Sequence, residues 1–291
     1  MRTNFTQAVV DELAAAVPDE LAGSGQPVLI GTGWDSAVYK WGDRCLRLST
    51  SAAAAELLAK EYRWTERATS LLIESGFSVP TPRFYGESTD FFPYRWLLVD
   101  YVAGAPLSDI PSEDRGRAAR DLATVFAALH EKAPPGAPVS PHRNVALERK
   151  ADAFNKYVRG TDMEALLRPL FERGVVALPW DREPVWCHGD LHARNILTAG
   201  GSISGIIDFG DLGAGDPAVD YAAFILAFTK QQREDARIIL RMLGEPDDAF
   251  LWERARGWAA YMVAALASSE HEEDRRLAEE ARRLLASELP D

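Results

Sequence analysis

Residues 185–212, VWCHGDLHARNILTAGGSISGIIDFGDL, place a dense polar loop between short apolar runs. An apolar strand over 185–187 leads into the loop, and the stretch after it reads as a hairpin with a glycine turn. Asp190 and Asn195 therefore lie on one tight loop, and Asp208 follows the last strand of the hairpin. Because these strand ends are adjacent, we expect the Asn195 amide oxygen and the Asp208 carboxylate to converge, as suits Mg²⁺. Asp190 is then left to accept a proton from a nucleophile.

In the rest of the chain, the predicted secondary structure changes once, from mainly strands to mainly helices. Upstream, alternating short apolar runs and tight turns from residue 27 to residue 49, and the apolar segment YRWLLVDYV, predict antiparallel strands. Helical patterns over 3–16 and 52–72 flank the first of these strands. After a joint near 100–106, helices dominate, with predicted bounds 113–131, 145–158, 161–173, 217–243, 249–268 and 271–288. The chain thus predicts a small β-rich lobe and a larger helical lobe with the hairpin at its mouth.

The pattern HGD-x4-N followed by DFG resembles the catalytic and metal loops of the protein-kinase-like fold. The HGD form and the continuation GDPAVDYA are similar to the aminoglycoside phosphotransferase family rather than to protein kinases. The resemblance covers nearly the whole chain in the right order. It implies an α+β, protein-kinase-like bilobal fold. The small antiparallel-β N-terminal lobe, residues 1–102, binds the nucleotide and ends in the hinge, and the larger, mainly helical lobe, residues 103–291, holds the catalytic and acceptor sites.

The resemblance also implies roles for the polar loop. Asp190 matches the catalytic aspartate that accepts the proton of the substrate hydroxyl and orients its oxygen. Asn195 and Asp208 match the Mg²⁺ ligands that bridge the phosphates of ATP or GTP. His188 matches a residue that braces the loop. His192 falls where protein kinases have a lysine, and two interpretations stay open for it: contact with the γ-phosphate, or packing nearby.

Three aspartates follow the hairpin in GDLGAGDPAVDYAAF. Asp216 before Pro217 is typical of the start of a helix. Asp220 resembles the helix aspartate that binds the backbone of the catalytic loop from behind, which is a structural role. Asp211 is interpreted either as a neighbour of the metal or as part of the mouth of the acceptor site, and the role of Arg194 is equally open.

A glycine-containing turn in GTGWDSAVYK is the first predicted nucleotide contact. Gly31 and Gly33 would let backbone N–H groups approach phosphates closely. Glycines are also common in hairpin turns, so the turn alone is a weak signal. Ser36 stands where the protein-kinase loop has its third glycine. Because the chain also contains the HGD-x4-N and DFG loops, we predict that this turn binds phosphate.

A basic residue on the third strand is the second predicted contact. In RCLRLS the alternation places Cys45 and Arg47 on one face of the strand. Arg47 occupies the position where the family has a lysine or arginine that contacts the α- and β-phosphates. Glu61, in AKEYRW on the next helix, is its predicted partner, because an ion pair would hold the guanidinium for bidentate contact. Glu56, earlier on the same helix, is the alternative.

The segment WLLVDYVAG resembles the strand and linker that hold the nucleotide base in this fold. The carbonyl of Asp100 and the N–H of Val102 are the predicted contacts, and Val99 is predicted to line the base pocket. Since backbone groups make these contacts, the side chains do not distinguish ATP from GTP.

The net charge, the apolar runs and the cysteines of the chain argue against several classes of protein. The 291 residues carry a formal net charge of −12, which argues against binding to nucleic acid or anionic membranes. The longest apolar run, WAAYMVAALA over 258–267, is too short to cross a bilayer. The two cysteines, Cys45 and Cys187, each lie in an apolar run and are predicted to be reduced core residues. We therefore expect a cytoplasmic protein, a monomer or a weak dimer.

The predicted activity is transfer of a nucleotide γ-phosphate to a hydroxyl of a small, cationic acceptor, most simply an aminoglycoside-type antibiotic. The negative charge and the acidic stretch SSEHEED fit such an acceptor, although a surface helix explains the stretch equally well. Macrolides and metabolic alcohols such as choline or homoserine are the alternatives within the family. Outside it, HGDLH could mark a zinc metallohydrolase, or the chain could be a non-catalytic nucleotide-binding module.

Overall fold

The N-terminal lobe is built on one antiparallel sheet. The computed structural model of the protein describes residues 5–33 and 35–286. The five strands of the sheet are β1 (Val28–Thr32), β2 (Ser36–Trp41), β3 (Arg44–Ser49), β4 (Pro82–Gly86) and β5 (Trp96–Asp100). Their spatial order is β1-β2-β3-β5-β4, and every neighbouring pair is antiparallel. The predicted antiparallel-β lobe is confirmed.

Three helices accompany this sheet: α1 (Gln7–Ala15), α2 (Ala52–Ala68) and α3 (Ser70–Glu74). Helix α1 buries Val10 and Leu13 against the apolar face of the sheet, and the first residues of the helix predicted over 3–16 lie outside the described residues. Helix α2 begins where the Ser51 hydroxyl accepts the N–H of Ala54 at 3.1 Å. The single helix predicted over 52–72 is wrong at its end, because the helix breaks at Thr69.

Strand β4 was not predicted, since its sequence, PRFYG, follows VPT and reads as a break between helix and strand. Proline is tolerated at the first residue of a strand and at a sheet edge, where no ladder bond needs its missing N–H. Both conditions hold here, because Pro82 begins β4 and β4 is the last strand of the sheet.

The C-terminal lobe is mainly helical. Its helices are α4 (Gly116–Leu129), α5 (Ala151–Val158), α6 (Glu164–Val176), α7 (Ala218–Ala227), α8 (Lys230–Met242), α9 (Ala249–Ala267) and α10 (Glu272–Ala286). Every residue of α7 is buried, so this helix forms the centre of the lobe. The helix predicted over 271–288 corresponds to α10, and its last two predicted residues lie outside the described residues.

Five short strands hold the loops of this lobe: β6 (Ala105–Pro106), β7 (Val185–Cys187), β8 (Ile196–Ala199), β9 (Ser202–Ile206) and β10 (Gly213–Gly215). Strands β8 and β9 form the predicted hairpin, and Gly200 and Gly201 between them both have positive φ, as a tight primed turn requires. Strand β6 pairs with β8, and β10 pairs with β7. These pairings bring the two polar loops of residues 188–195 and 207–212 side by side.

The helix predicted over 217–243 is two helices, α7 and α8. Phe228 is extended, and Thr229 then caps α8, with its hydroxyl accepting the Gln232 N–H at 3.4 Å while the Gln232 side chain accepts the Thr229 N–H at 3.0 Å. Such a capping box is a helix start signal. No glycine or proline lies between Ala218 and Leu243, so no helix-breaking residue marks the break and one helix is predicted.

Within residues 5–33 and 35–286, no helix is long and apolar enough to cross a membrane. Cys45 and Cys187 are buried and unpaired with each other, as predicted. Burial raises the pKa of the Cys187 thiol well above its usual value, so this side chain is a neutral core group.

Candidate active site

The polar loop after β7 is anchored from within by His188. This side chain is fully buried, and its Nε2 donates to the Ile207 carbonyl at 2.9 Å, while its Nδ1 accepts the Asp190 N–H at 3.3 Å. The ring also packs against Phe209, with centroids 4.7 Å apart. Gly189 has φ +88°, and a Cβ there would lie 2.8 Å from the Asp211 carbonyl oxygen, so only glycine fits. His188 therefore ties the two loops together.

A second anchor comes from α7. The Asp220 carboxylate accepts the N–H groups of His188 at 2.7 Å and Gly189 at 2.8 Å, as the sequence predicted. Behind it, His130 at the end of α4 places Nε2 3.3 Å from Asp220 Oδ2 and Nδ1 3.3 Å from Glu245 Oε2. Burial alone would lower the pKa of His130, but its hydrogen bonds to the two carboxylates and their charges outweigh burial and raise it to about 9. The imidazolium thus neutralises a carboxylate that holds the loop of residues 188–195.

This anchor predicts a pH dependence of stability. The pKa of His130 rises from 6.5 to about 9 on folding, so its contribution is complete below pH 6.5 and is lost as the pH rises through about 9. At roughly 1.4 kcal/mol for each pKa unit, this amounts to on the order of 3 kcal/mol. We expect this part of the pH dependence to be missing in His130→Gln and reduced in Glu245→Gln. Urea unfolding between pH 6 and pH 10 measures it, and equal slopes in the wild type and His130→Gln would contradict it.

Asp190 lies at the head of the loop, and its two carboxylate oxygens have different neighbours. Oδ1 accepts a hydrogen bond from Arg143 Nη2 at 2.7 Å, whereas Oδ2 lies 3.8 Å from His192 Nε2. Burial alone would raise the pKa of Asp190, but the charge of Arg143 outweighs burial and lowers it. Asp190 is therefore an ionised carboxylate at neutral pH. Burial lowers the pKa of His192, so this ring is a neutral hydrogen-bonding group.

The two predicted metal ligands offer oxygen atoms. Asn195 is buried, and its Nδ2 donates to the Asp190 carbonyl at 2.9 Å, which leaves the amide oxygen to bind a cation. Asp208 is exposed and has φ +67°, the only non-glycine residue with positive φ in the part of the chain that the structure describes. Aspartate tolerates this conformation, and strained backbone often marks functional sites. Burial raises the pKa of nearby Asp35, and the charges of Asp208 and Asp211 raise it further. Oxygen donors in such a negative region fit Mg²⁺.

The N-terminal lobe contributes a buried ion pair. Arg47 on β3 donates to Glu61 on α2, and both side chains are buried. Arg47 Nη2 also lies 3.6 Å from Asp208 Oδ1, which links the two lobes across the cleft. Burial alone would lower the pKa of Arg47, but Glu61 and Asp208 outweigh it and raise it. Arg47 is thus a fixed cation beside the candidate metal ligands. The structure pairs it with Glu61, and Glu56 is exposed on α2.

These groups share one cavity of about 810 Å³ between the lobes. Eight of the predicted site residues line it: Gly33, Ser36, Arg47, Glu61, Asp190, His192, Asn195 and Asp208. The cavity continues past Asp190 toward α9 and the start of α10, where Tyr261, Met262 and Leu266 form an apolar wall. The cavity therefore has a polar half, lined by residues of β2 and β3, and a second half beyond Asp190, lined by α9 and the start of α10.

Four predicted nucleotide contacts do not line this cavity. Gly31 lies in β1 opposite Val38. Val99 is buried in a cluster with Cys45, and Val102 is also buried. The Asp100 side chain is turned to the surface, where Arg83 donates to it at 2.9 Å. The backbone contacts predicted for this segment stay predictions.

Sequence reasoning missed a cationic and aromatic group in the second half of the cavity. Arg143 binds Asp190, and its guanidinium lies 6.0 Å from the Tyr261 ring centroid. Tyr157 lines the same wall. Arg143 lies 47 residues before Asp190 in the loop SPHRN, where nothing in the local pattern indicates chemistry. Arg194, whose role was open, pairs instead with Asp274 at 2.9 Å.

The zinc alternative does not fit the donor geometry. His188 uses Nε2 on the Ile207 carbonyl and Nδ1 on the backbone of Asp190, so it has no nitrogen free for a metal. Among the residues that the structure describes, no group of three or more His, Cys, Asp or Glu side chains is placed to hold a metal ion. Asp190 and His192 thus lack the further ligands that a protein zinc site requires.

Known proteins resemble this chain in sequence and in fold. Viomycin phosphotransferase of Streptomyces vinaceus is 32% identical over 176 residues, 52% of this chain, and the match spans just over half (56%) of that protein. The GDP complex of wild-type aminoglycoside 2'-phosphotransferase-IIIa has a TM-score of 0.70 at 18% identity, over 98% of this chain and 100% of that one. Macrolide 2'-phosphotransferase type I has a TM-score of 0.63 at 20% identity, over 97% and 98% of the two chains. These structures share the protein-kinase-like fold predicted from the sequence. A model of the phosphotransferase enzyme family matches residues 27–258, and the chain belongs to this family.

Proposed function

We propose that this phosphotransferase moves the γ-phosphate of ATP or GTP, with Mg²⁺, to a hydroxyl of a small cationic molecule, an aminoglycoside-type or related antibiotic. The observation that carries the proposal is the meeting of Asp190, Asn195, Asp208 and the Arg47–Glu61 pair in one cavity. Phosphoryl transfer needs mainly positioned charge and one group to orient the nucleophile, and this set supplies both.

The proposed division of labour follows from the geometry. The polar half of the cavity holds the triphosphate, with Arg47 on its oxygens and the turn at Gly33 above it. Asn195 and Asp208 would hold Mg²⁺, which neutralises charge on the phosphates. Asp190 orients the acceptor hydroxyl and takes its proton while the oxygen forms a bond to the γ-phosphorus and the bond from that phosphorus to the bridging oxygen breaks. His192 lies beside Asp190 and Asn195 as a neutral hydrogen-bonding group. Residues 1–102 and 103–291 are the proposed nucleotide-binding and catalytic lobes.

A cationic acceptor is supported by the charge of the cavity wall. The lining of the whole cavity carries eight carboxylate side chains against four arginines, which is an excess of negative charge. Glu272 and Glu273 at the start of α10 are exposed at its rim and form ion pairs with Arg276 and Arg194, so an ammonium group of the acceptor would compete with these arginines for them. The name of the viomycin relative and the aminoglycoside name of the structural neighbour point to the same kind of acceptor.

A macrolide is the second candidate, because the wall of Tyr261, Met262, Ala265 and Leu266 offers apolar surface to a large, less charged ring. The two candidates differ in what holds the acceptor: carboxylates at the α10 rim, or the apolar face of α9.

A panel assay tests the proposal. The purified protein is incubated with ATP or GTP and an aminoglycoside, viomycin, a macrolide, choline or a neutral sugar, and phosphorylated product is measured by mass spectrometry. We expect product with the cationic antibiotics, and loss of at least about 90% of the activity when EDTA removes Mg²⁺. Phosphorylation of neutral acceptors alone would overturn the cationic assignment. Full activity in EDTA would overturn the metal assignment.

A further inference from the structure

Arg143 lines the cavity, and the proposed division of labour gives it no role. It comes from the loop of residues 138–144, which joins α4 to the turn before α5. Its Nη2 donates to Asp190 Oδ1 at 2.7 Å, and its Nε lies 3.5 Å from Asp211 Oδ2. Its side chain is only 18% exposed. A guanidinium held between two carboxylates of the cavity is a specific arrangement rather than a mobile surface charge.

The loop that carries Arg143 is fixed independently of Asp190. The Ser140 hydroxyl donates to Asp211 Oδ1 at 2.7 Å and accepts the N–H groups of His142 and Arg143, both at 3.2 Å. The Asn144 side chain accepts the Ser140 N–H at 3.2 Å. The backbone of Arg143 is therefore placed by its own loop, and the guanidinium reaches Asp190 from a fixed base.

The contact makes the two oxygens of Asp190 unequal. Oδ1 accepts the hydrogen bond from Arg143 at 2.7 Å, whereas Oδ2 lies 3.8 Å from His192 Nε2. An aspartate side chain rotates about only two bonds, and a charge-assisted hydrogen bond to one oxygen fixes the second rotation. Oδ2 is then presented to whatever enters the second half of the cavity.

From this asymmetry we infer that Arg143 is a positioning residue for phosphoryl transfer, which holds Asp190 by Oδ1 so that Oδ2 receives the acceptor hydroxyl. The inference rests on the proposed function, since it needs Asp190 to act on the hydroxyl. During transfer the acceptor oxygen bonds to the γ-phosphorus, the bond from that phosphorus to the bridging oxygen breaks, and the hydroxyl proton passes to Oδ2. Arg143 stays on Oδ1 throughout.

A cation beside a proton acceptor weakens it as a base, which at first argues against this role. Phosphoryl transfer passes through a loose transition state in most analyses, so the nucleophile needs little deprotonation early in the step. Orientation then contributes more than basicity, and an error of about 1 Å in placing a reacting group can cost roughly 10²-fold. By fixing the Asp190 carboxylate through Oδ1, Arg143 prevents such a misplacement of Oδ2.

The test compares Arg143→Met and Arg143→Lys with Arg168→Met, a control in which an arginine on α6 loses its ion pair to Glu164, away from the cavity. We expect Arg143→Met to lower kcat by roughly 10- to 100-fold with the KM for nucleotide unchanged within about twofold. Arg143→Lys keeps the charge with one-point contact and should retain an intermediate kcat. Arg168→Met should keep kcat within about twofold. Thermal unfolding shows whether each variant is folded, and Arg143→Lys carries the test if Arg143→Met is not.

A double-mutant cycle separates positioning from other roles. If Arg143 acts through Asp190, adding Arg143→Met to Asp190→Ala should change the single-turnover rate by no more than about twofold. An equal loss in both backgrounds would overturn the inference, because Arg143 would then act on the phosphates or the acceptor directly. Wild-type kcat in folded Arg143→Met would overturn it as well. Absence of any transfer by the wild type to the whole acceptor panel would instead reject the proposed function, and with it this role.

Discussion

An Asp190→Asn variant is expected to turn over about 10²- to 10⁴-fold more slowly than the wild type, with a KM for nucleotide that is nearly unchanged. Asparagine has the shape of aspartate, but its amide cannot take the hydroxyl proton at neutral pH. The loop itself should survive the change, because Asn195 binds the backbone carbonyl of residue 190 and Asp220 binds the N–H groups before it. Initial rates over a range of nucleotide and acceptor concentrations measure both constants.

Asp247→Asn is the matched control for this loss. The Asp247 carboxylate accepts hydrogen bonds from Arg237 at 2.8 Å and Trp252 at 2.6 Å, and it lies outside the lining of the cavity. Like Asp190 it is an ionised aspartate bound by arginine, so its replacement should reduce stability while leaving kcat within about twofold. A folded Asp190→Asn variant with wild-type kcat would reject Asp190 as the group that takes the proton.

The grouping of three candidate site residues in one cavity was predictable because they lie on two loops close together in the sequence. Asp190, Asn195 and Asp208 span 19 positions, and the hairpin between them is a local structure whose glycine turn is visible in the sequence. Local strand and turn signals therefore place these groups together without knowledge of the rest of the fold.

Arg143 was not predictable for the opposite reason. Its contact with Asp190 crosses 47 residues, two helices and a proline-rich loop. No periodicity marks such a contact, since its geometry is set by how the 138–144 loop packs on Asp211. The same limit applies to His130, whose partners Asp220 and Glu245 lie 90 and 115 residues further along the chain.

Errors in the predicted helices have a local cause as well. Helix α7 is buried along its whole length and α8 is mostly polar, but no glycine or proline separates the two helices. The capping box at Thr229 and the change from an apolar to a polar sequence both mark the break, and the prediction missed both signals. Periodicity reports which residues are buried more reliably than where one helix ends.

The Arg47–Glu61 pair bears on both the stability of the lobe and the proposed function. A conservative substitution therefore tests it better than removal of either side chain. Removing either partner outright leaves an uncompensated buried charge, which costs about 3–5 kcal/mol and could unfold the lobe. A glutamine at position 61 keeps the size of the side chain and a hydrogen-bond acceptor for Arg47, and it removes only the charge. Arg47 retains Asp208 at 3.6 Å, so the guanidinium would be drawn toward the candidate metal ligand.

Glu61→Gln is therefore expected to lower kcat/KM for the nucleotide by about 10- to 100-fold, since a displacement of about 1 Å in a group that positions the substrate can cost roughly 10²-fold. Glu56→Gln is the matched control, because the same change is made five residues earlier on α2, at an exposed position. It should leave kcat/KM within about twofold. Steady-state kinetics with varied ATP and GTP, together with thermal unfolding of both variants, separates a misplaced guanidinium from a destabilised lobe. Equal effects of the two substitutions would show that the charge of Glu61 does not position Arg47. A loss confined to Glu61→Gln, in a protein that remains folded, ties nucleotide use to this one buried pair and to the contact it maintains across the cleft.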